Sequence, residues 1–224
     1  MSFYKAKRTV IIQLASLFSL RERLSTVRST LNMPLKEQTA FVKESISLKS
    51  KSACEKSLTA IQTDLLGIEQ EIDLLIANDE RLSYLFKIIT SVKCIGRITA
   101  IQVILSTNEF LDISNPKKFA YYSGVAPFAK ESGIKSGKAK VSHIANKKVK
   151  ALLHICALSA IQTDKELKSY FQRKTKVDGK PALLVVNAIR NKLILRIFAC
   201  VNQNRMFETD YIRTENLRHY LSIN

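Results

Sequence analysis

The sequence predicts a mainly α-helical fold: a long helical hairpin or coiled coil, followed by a compact helical domain. Three observations lead to this prediction. The 224 residues include six glycines and four prolines, so few tight turns are available. Apolar residues recur three and four positions apart over long stretches, which is the spacing of one helix face. A single stretch, rich in lysine and glycine, is expected to be irregular.

The first predicted helix carries an apolar stripe at helical spacing. Its members are Val10, Leu14, Leu17, Leu20, Leu24, Val27 and Leu31. Pro34 is expected to end this helix or to kink the connection that follows, because proline removes one intrahelical hydrogen bond.

The second predicted helix carries a heptad seam, interrupted at Asp79 and resumed at Leu82. The seam consists of Leu58, Ile61, Leu65, Ile68, Ile72 and Leu75. We therefore assign residues 1–87 to a helical hairpin or coiled coil that spaces the chain or joins two copies into a homo-oligomer. A plain bundle that packs on the rest of the chain fits the same pattern.

A turn centred on a glycine is predicted after residue 88. The segment from Val92 to Ala100 lies between two helical stretches, with Gly96 as its tight-turn residue. This pattern is typical of a helix-hairpin-helix, whose turn directs backbone N–H groups at a phosphate. Glycine is expected because the backbone must turn sharply and approach the ligand closely. Gly96 and Arg97 are therefore candidate DNA contacts, although an ordinary corner between two helices fits equally.

The remaining elements are predicted from capping and helix-breaking residues. Ser114-Asn115-Pro116 is a helix start with a capping side chain and an early proline, and Gly124 is the matching C-cap. The other elements are an irregular stretch at 125–143, helices at about 144–162, 167–174 and 182–202, and a turn at 178–181. Residues 88–204 form the predicted C-terminal domain, and residues 205–224 form a polar tail.

The charge balance indicates a polyanionic partner. Lysine and arginine outnumber aspartate and glutamate by 36 to 19, a formal net charge of +17. Nucleic acid is the first candidate partner and an anionic membrane surface the second; a merely soluble, lysine-rich protein is the alternative. No membrane partner is expected, since the longest apolar runs, Leu152–Ile161 and Ile194–Val201, are short of the roughly 20 residues that a span needs.

The cysteines and histidines do not form a metal-binding pattern. Cys54, Cys94, Cys156 and Cys200 lie far apart and lack CxxC spacing. The three histidines, His143, His154 and His219, do not complete a ligand set. We predict buried thiols in a reducing cytoplasm and no metal site.

A lysine-rich segment at 130–150 is the candidate site of chemistry. It holds one acid, Glu131, and the seven lysines Lys130, Lys135, Lys138, Lys140, Lys147, Lys148 and Lys150. Ser132, Ser136 and Ser142 lie among them, the first two followed by glycine. Such a loop can bind phosphates and offer a nucleophile. A solvated turn whose serines merely cap the backbone is the alternative.

Six motifs in order along residues 88–202 resemble one family. They are Ile95-Gly96-Arg97-Ile98-Thr99-Ala100, the segment 119–127, Glu131-Ser132-Gly133, Val141-Ser142-His143-Ile144-Ala145-Asn146, the segment 170–174 with Gly179-Lys180-Pro181, and Ala188-Ile189-Arg190-Asn191-Lys192-Leu193. Together they are similar to the transposases of the insertion sequence 110 family, which is related to the Piv DNA invertase. Two departures are Ala145, where the family has glycine, and Lys150, where it has arginine.

The resemblance implies a mechanism and partners. In that family a serine attacks DNA to form a phosphoserine link, and the resemblance places this nucleophile at Ser132. It places Lys138, Lys140, Asn146 and Lys150 beside the phosphates. It also implies a preceding coiled coil, an N-terminal nuclease-like domain whose acidic residues hold Mg²⁺, and, as in some members, a structured guide RNA.

We interpret the sequence as the DNA-binding C-terminal part of an insertion-sequence transposase or site-specific recombinase, with Ser132 as its catalytic residue. The predicted DNA-binding residues are Gly96, Arg97, Lys130, Lys135, Lys138, Lys140, Asn146, Lys147 and Lys150. We expect the acidic domain to be missing from this chain, because few residues precede the first helix. The chain would then hold no cofactor, and Mg²⁺ would belong to the complete enzyme. A non-enzymatic helical nucleic-acid-binding protein is the main alternative, and a coiled-coil scaffold is the third.

Overall fold

The computed structural model describes residues 6–126, 128–132, 135–140 and 145–209, with 128–132 and 135–140 described as backbone only. These residues form eight α-helices and a two-stranded β-hairpin. The predicted mainly α-helical fold is confirmed. The chain divides into two compact units, Met1–Tyr84 and Leu85–Asn224, which we call the N-terminal and C-terminal units.

The N-terminal unit is an antiparallel helical hairpin. Helix α1 (Thr9–Glu37) is followed by a short 3₁₀ turn and by α2 (Glu44–Asn78). At the open end of the hairpin, the guanidinium of Arg8 donates two hydrogen bonds to the carboxylate of Asp79, at 2.8 and 2.9 Å. The bond from Arg8 holds the pKa of Asp79 below its ordinary value. Asp79 also accepts a hydrogen bond from the backbone N–H of Leu82, which starts α3 (Glu80–Ser91).

The seam between α1 and α2 has the predicted phase on α2, where Leu65, Ile68 and Ile72 are buried, but a different phase on α1. The buried residues are Ile11, Leu14, Phe18 and Leu35 on α1, and Ser47, Leu65, Ile68, Ile72 and Ile76 on α2. Leu20 and Val27, which the sequence placed in the α1 stripe, are exposed. Because apolar residues surround the first half of α1, several stripe phases fit its sequence, and the structure selects the one that buries Phe18.

The closed end of the helical hairpin is more exposed. Pro34 does not end α1: the helix continues to Glu37, and the backbone N–H of Gln38 donates to the carbonyl of Pro34. A proline costs one intrahelical hydrogen bond, but the residues after it can keep the helical path. Leu35 and Ser47 are buried near this end, but Phe41 is 88% exposed.

The C-terminal unit packs its helices around α8. It contains part of α3, then α4 (Arg97–Thr107), α5 (Pro116–Tyr122), α6 (Lys147–Thr163), α7 (Lys165–Gln172), a π-helical turn and α8 (Ala182–Asn202). Phe198 of α8 lies at the centre of an aromatic cluster, with ring centroids 4.9 Å from Phe110 and 5.2 Å from Phe119. All three rings are buried, which makes this cluster part of the core of the unit.

The capping residues act as predicted. The Asn115 side chain accepts a hydrogen bond from the backbone N–H of Lys117 at the start of α5, and Gly124 has a φ of 65° just after its end. Asp164 ends α6 and caps α7 by accepting from the backbone N–H of Leu167. Its other carboxylate oxygen accepts from Arg196 at 2.8 Å.

The segment predicted to be irregular contains two strands. β1 (Phe128–Ser132) pairs antiparallel with β2 (Lys135–Lys140), with an irregularity in register between Phe128 and Lys130. The sequence did not indicate strands, because lysine, serine and glycine have low strand propensity and neither strand contains a β-branched residue.

Candidate nucleic-acid interface

The positive charge of the protein is concentrated in the C-terminal unit. The N-terminal unit has 12 lysines and arginines and 10 acidic residues, a net charge of +2. The C-terminal unit has 24 and 9, a net charge of +15. A surface that attracts phosphates is therefore to be sought on the C-terminal unit.

The start of α6 is the most basic helix end of this unit. Its first residues include Lys147 and Lys148, both exposed, and the half-buried Lys150. The Asn146 side chain accepts from the backbone N–H of Val149 at 3.1 Å, so Asn146 is the N-cap. Cations at a helix N-terminus oppose the helix dipole, whereas an anion bound there is favoured by the dipole and by the lysines.

Other helix starts of the C-terminal unit share this feature. The first turns of α4, α5, α6 and α8 contain no acidic residue. Instead, Arg97 begins α4, and the exposed Lys117 and Lys118 lie in the first turn of α5. Acidic residues are the usual stabilising choice at these positions, and without them the positive ends of these helix dipoles favour an external anion.

In the chain the β-hairpin lies between α5 and α6, and hydrogen bonds hold the described residues on both sides of it. The backbone N–H of Asn146 donates to the carbonyl of Tyr122, and the Asn146 amide donates to the Tyr122 hydroxyl, each at 2.8 Å. On the other side, the Asn187 amide donates to the carbonyl of Val125 at 2.8 Å. We call Tyr122, Val125, Asn146 and Asn187 the hairpin root. Asn146, predicted as a phosphate neighbour, is thus also a structural cap.

The hairpin register places the predicted serine beside predicted lysine positions. Ser132 lies opposite Lys135, and Lys130 lies opposite Gly137. Lys140 pairs with Phe128, and Lys138 lies in the same strand as Lys140. The predicted surroundings of the Ser132 hydroxyl and the predicted bend at Gly133 lie outside the described residues.

The glycine turn before α4 has a different geometry from the one expected. Gly96 is the N-cap of α4 with φ −84° and ψ 170°, a conformation open to any residue. The residue with the left-handed backbone is Cys94, at φ 68°. A Cβ added at Gly96 would meet no atom within 4 Å. The reason given for this glycine, a sharp turn, is therefore wrong, while close approach by a ligand remains open to test.

The structure brings the predicted contact residues into two groups rather than one. The Sγ of Cys94 lies 3.2 Å from the Oγ1 of Thr163, and the Oγ1 of Thr99 lies 3.3 Å from the Sγ of Cys156. The start of α4 thus packs beside the C-terminal half of α6. Lys147 lies at the other end, about 14 Å from Cys156 along the helix axis at 1.5 Å per residue.

A polar cluster that sequence reasoning did not select lies next to the hairpin root. Arg190 of α8 is buried, and its guanidinium contacts His154 of α6 and Asn187. The signal in the sequence was an arginine at helical spacing with the apolar residues Val186, Leu193 and Ile197, on a helix face where a buried charge is rare. Motif comparison recorded this arginine but gave it no role.

The described residues do not suit a metal ion. They contain no group of three or more histidine, cysteine, aspartate or glutamate side chains that could hold one. Mg²⁺ needs a set of oxygen ligands, so we assign no reaction step to a metal here. Cys156 and Cys200 are buried as predicted, and burial raises the pKa of both thiols. Cys54 and Cys94 are half-buried, contrary to the prediction.

A membrane-crossing helix is also not found in the described part of the chain, since none of its helices is both long and apolar enough.

Comparison with known proteins finds a family profile that matches part of the C-terminal unit. Residues 86–172 match the profile of the transposase IS116/IS110/IS902 family. This match covers α4 to α7, including the hairpin and the start of α6. It supports a role of the transposase or recombinase type for the C-terminal unit.

Two curated relatives share a longer stretch. The chain is 23% identical over 175 residues to a pilin gene-inverting protein of Moraxella lacunata, covering 78% of this chain and 54% of the relative. It is 22% identical over 175 residues to a pilin gene-inverting protein of Moraxella bovis, with the same coverage. The chain thus spans about half the length of these relatives.

Proposed function

We propose that this chain is the DNA-binding, serine-bearing part of an insertion-sequence transposase or site-specific recombinase. The observation that carries the proposal is the net charge of +15 on the unit that contains the transposase-like segment 86–172. The similarity to pilin gene-inverting proteins supports DNA as the substrate and strand exchange as the class of reaction. The same basic surface suits a structured guide RNA, which shares the phosphate backbone.

The proposed chemistry uses Ser132 at the end of β1. Its Oγ attacks a backbone phosphorus, and a phosphoserine ester forms while the bond from phosphorus to one deoxyribose oxygen breaks. The serine proton must pass to a base, and the leaving sugar oxygen must gain a proton. A basic residue near this position, such as Lys135 opposite Ser132 in the register, would offset the charge that develops on the phosphoryl oxygens.

In the proposed enzyme, different parts of the chain bind DNA, carry the nucleophile and join the copies. The start of α6, with Lys147 and Lys150, and the start of α4, with Gly96 and Arg97, hold DNA phosphates, while the hairpin presents the nucleophile. We further propose that α1 and α2 join two copies of the chain. The carboxylates that bind Mg²⁺ in transposases of this type would come from a nuclease-like domain supplied in addition to the described residues.

The test of this proposal is a covalent protein–DNA species. The full chain is combined with labelled element-end DNA and the acidic domain of a related transposase as a partner chain. The product is then run on a denaturing gel. We expect a DNA-linked band that Ser132→Ala abolishes while DNA affinity stays nearly unchanged, because the hydroxyl contributes chemistry and little charge.

Ser136→Ala is the matched control, since Ser136 is also a strand residue followed by glycine. It should keep the linked band. If Ser136→Ala loses the band and Ser132→Ala keeps it, the assignment of the nucleophile is wrong. If an active assembly forms no serine-linked species at all, the protein is a nucleic-acid-binding module without this chemistry.

A further inference from the structure

Arg190 is a buried charge that lies among the buried apolar residues of α8. The residue is 9% exposed, and its neighbours Ile189, Leu193 and Ile194 are fully buried. Among the residues that the structure describes, no carboxylate forms an ion pair with it. Arg196, one turn and a half further along α8, has two such partners, Asp164 and Glu166.

Among the described residues, the Arg190 guanidinium contacts only side chains without a negative charge, and not all of its N–H groups have an acceptor. One terminal nitrogen lies 2.6 Å from Nδ1 of His154, and the other donates to Oδ1 of Asn187 at 3.3 Å. The Nε atom is buried, and no atom of the described residues accepts a hydrogen bond from it. Because a guanidinium can only donate, Nδ1 of His154 must accept, which leaves the His154 proton on Nε2.

These surroundings disfavour the positive charge of Arg190. Burying a cation without an anion is costly, and buried charges are normally paired. Burial lowers the pKa of Arg190, in keeping with that cost. An oxyanion would supply the missing charge and accept the unused N–H groups, since the planar guanidinium fork matches phosphate geometry.

A basic path leads from the protein surface to this guanidinium. Lys147, Lys150 and His154 are three and four residues apart on α6, so they share one face of the helix. Lys147 is exposed, Lys150 and His154 are half-buried, and Arg190 is buried. Exposure thus decreases along the path, from the helix N-terminus towards the buried charge.

The path also meets the hairpin root. Asn187, which accepts from Arg190, uses its amide N–H to hold the carbonyl of Val125. An anion bound at Arg190 would therefore lie next to the segment that carries the proposed nucleophile. Arg190, His154 and Asn187 are not among the DNA-binding or catalytic residues that the sequence predicts.

We propose that Arg190, with His154, Lys150 and Lys147 leading to it, forms a phosphate-binding site whose ligand is a backbone phosphate of the bound DNA. The proposal rests on the proposed function, because it identifies which part of the C-terminal unit receives the substrate. The guanidinium of Arg190 would recognise the phosphate by donating hydrogen bonds to its oxygen atoms.

The first experiment follows the wild-type full chain by NMR. A variant is needed only to assign the resonance, so the binding measurement does not depend on the folding of a variant. The probe is inorganic phosphate, with sodium chloride at equal ionic strength as the control. We expect the Nε–H resonance of Arg190, assigned by its loss in Arg190→Lys, to shift and saturate with phosphate but not with chloride. A resonance that phosphate leaves unmoved overturns the proposal.

The second experiment measures affinity for a DNA duplex and thermal stability for Arg190→Met and Arg173→Met. Arg173 is an exposed arginine of the same unit, so its loss removes the same charge from the surface. We expect Arg190→Met to lose about tenfold or more in DNA affinity, the effect of removing a charge-assisted donor, and Arg173→Met at most about threefold. Phosphate should raise the melting temperature of the wild type and of Arg173→Met, but not of Arg190→Met.

The outcomes separate this inference from the proposed function. If the wild type binds DNA tightly and both variants lose affinity equally, the Arg190 site is wrong and DNA binding stands. A phosphate response at Arg190 with unchanged DNA affinity in Arg190→Met overturns the assignment to DNA in favour of free phosphate. If the wild type does not bind DNA, the proposed function fails first.

Discussion

The two units of this protein are both helical, but they differ in charge and in how they bury their apolar residues. The N-terminal unit carries a net charge of +2 and buries one seam, leaving Phe41 and Val27 exposed at and near its closed end. The C-terminal unit carries +15 and surrounds α8 with a core in which Phe198 and Phe119 are fully enclosed.

The two units therefore suit two different roles, binding of a polyanion and spacing or connection of copies, which the composition of the whole chain does not distinguish. The charge of the protein works against compactness, because like charges repel, yet the more charged unit has the better core. That combination is stable when the core supplies the cohesion and a polyanion supplies the countercharge. The nearly neutral N-terminal unit needs neither, which suits a spacer or a connection between copies.

The largest expected effect concerns the core of the C-terminal unit. Phe198→Ala should lower the free energy of unfolding by about 3–5 kcal/mol, because it leaves a cavity among packed aromatic rings. Phe41→Ala, at the exposed end of the N-terminal unit, should change it by less than about 0.5 kcal/mol. Denaturant titration of both variants measures the contrast. Equal losses would mean that the two units do not differ in packing.

The second prediction tests where DNA binds. Replacing Lys147, Lys148 and Lys150 by alanine should reduce the slope of log affinity against log salt by about 2.7 and lower affinity roughly a hundredfold at 100 mM salt. The matched control replaces three exposed lysines of α2, Lys49, Lys51 and Lys56, and should leave the slope unchanged. A salt titration by fluorescence anisotropy decides between the two units. If the control loses as much, binding follows total charge rather than the C-terminal unit.

The third prediction concerns the acid stability of the C-terminal unit. Burial of Asp164 raises its pKa, but the hydrogen bonds from Leu167 and Arg196 outweigh burial, so the net pKa lies below the ordinary 3.8. The stabilisation is therefore present above about pH 4 and is lost as the pH falls through the lowered pKa. Asp164→Asn should cost about 2 kcal/mol at pH 7, keeping the helix cap but losing the ion pair.

That cost should shrink as the pH falls, because the wild type then loses the same ion pair. Asp79→Asn provides the comparison in the N-terminal unit, where the pairing Arg8 is more exposed. It should cost less, about 1 kcal/mol. A cost for Asp164→Asn that is constant between pH 7 and pH 3 would contradict the assignment.

The smallest structural effect is expected at the turn before α4. Gly96→Ala should change the free energy of unfolding by less than about 0.5 kcal/mol, because the gain in chain stiffness and the poorer capping by alanine offset each other. If DNA approaches this turn, the added methyl group should nevertheless weaken binding. Unchanged stability with unchanged DNA affinity would remove Gly96 from the proposed interface.

Much of the helical framework could be predicted from sequence. The caps at Asn115 and Gly124 and the last helix, predicted at 182–202, agree with the structure because these signals are local. The phase of the α1 stripe was not predictable, since several faces of that helix are apolar and only the partner helix selects one. The end of α1 could not be predicted from Pro34 for a related reason, because whether a proline ends a helix depends on the residues after it.

The candidate site was predictable in part. The lysines near the start of α6 stand out by their density, whereas Arg190 does not, because a charge in an apolar helix can be exposed or buried. Its burial depends on His154 and Asn187, which are 36 and 3 residues away in the chain. The β-hairpin also escaped prediction, because pairing between strands compensates for the weak strand propensity of its residues.

The hairpin root has a consequence for how this protein can change. Tyr122 and Asn146 close the loop at its base with two hydrogen bonds of 2.8 Å, independently of anything between them. Once a loop is closed at its base, doubling its length costs only about 0.6 kcal/mol in closure entropy. The part of the loop beyond Val125, which is itself buried and held by Asn187, can therefore lengthen or shorten while the helices keep their packing. A change in the length of this loop would therefore move the proposed nucleophile Ser132 relative to the helices without disturbing their core.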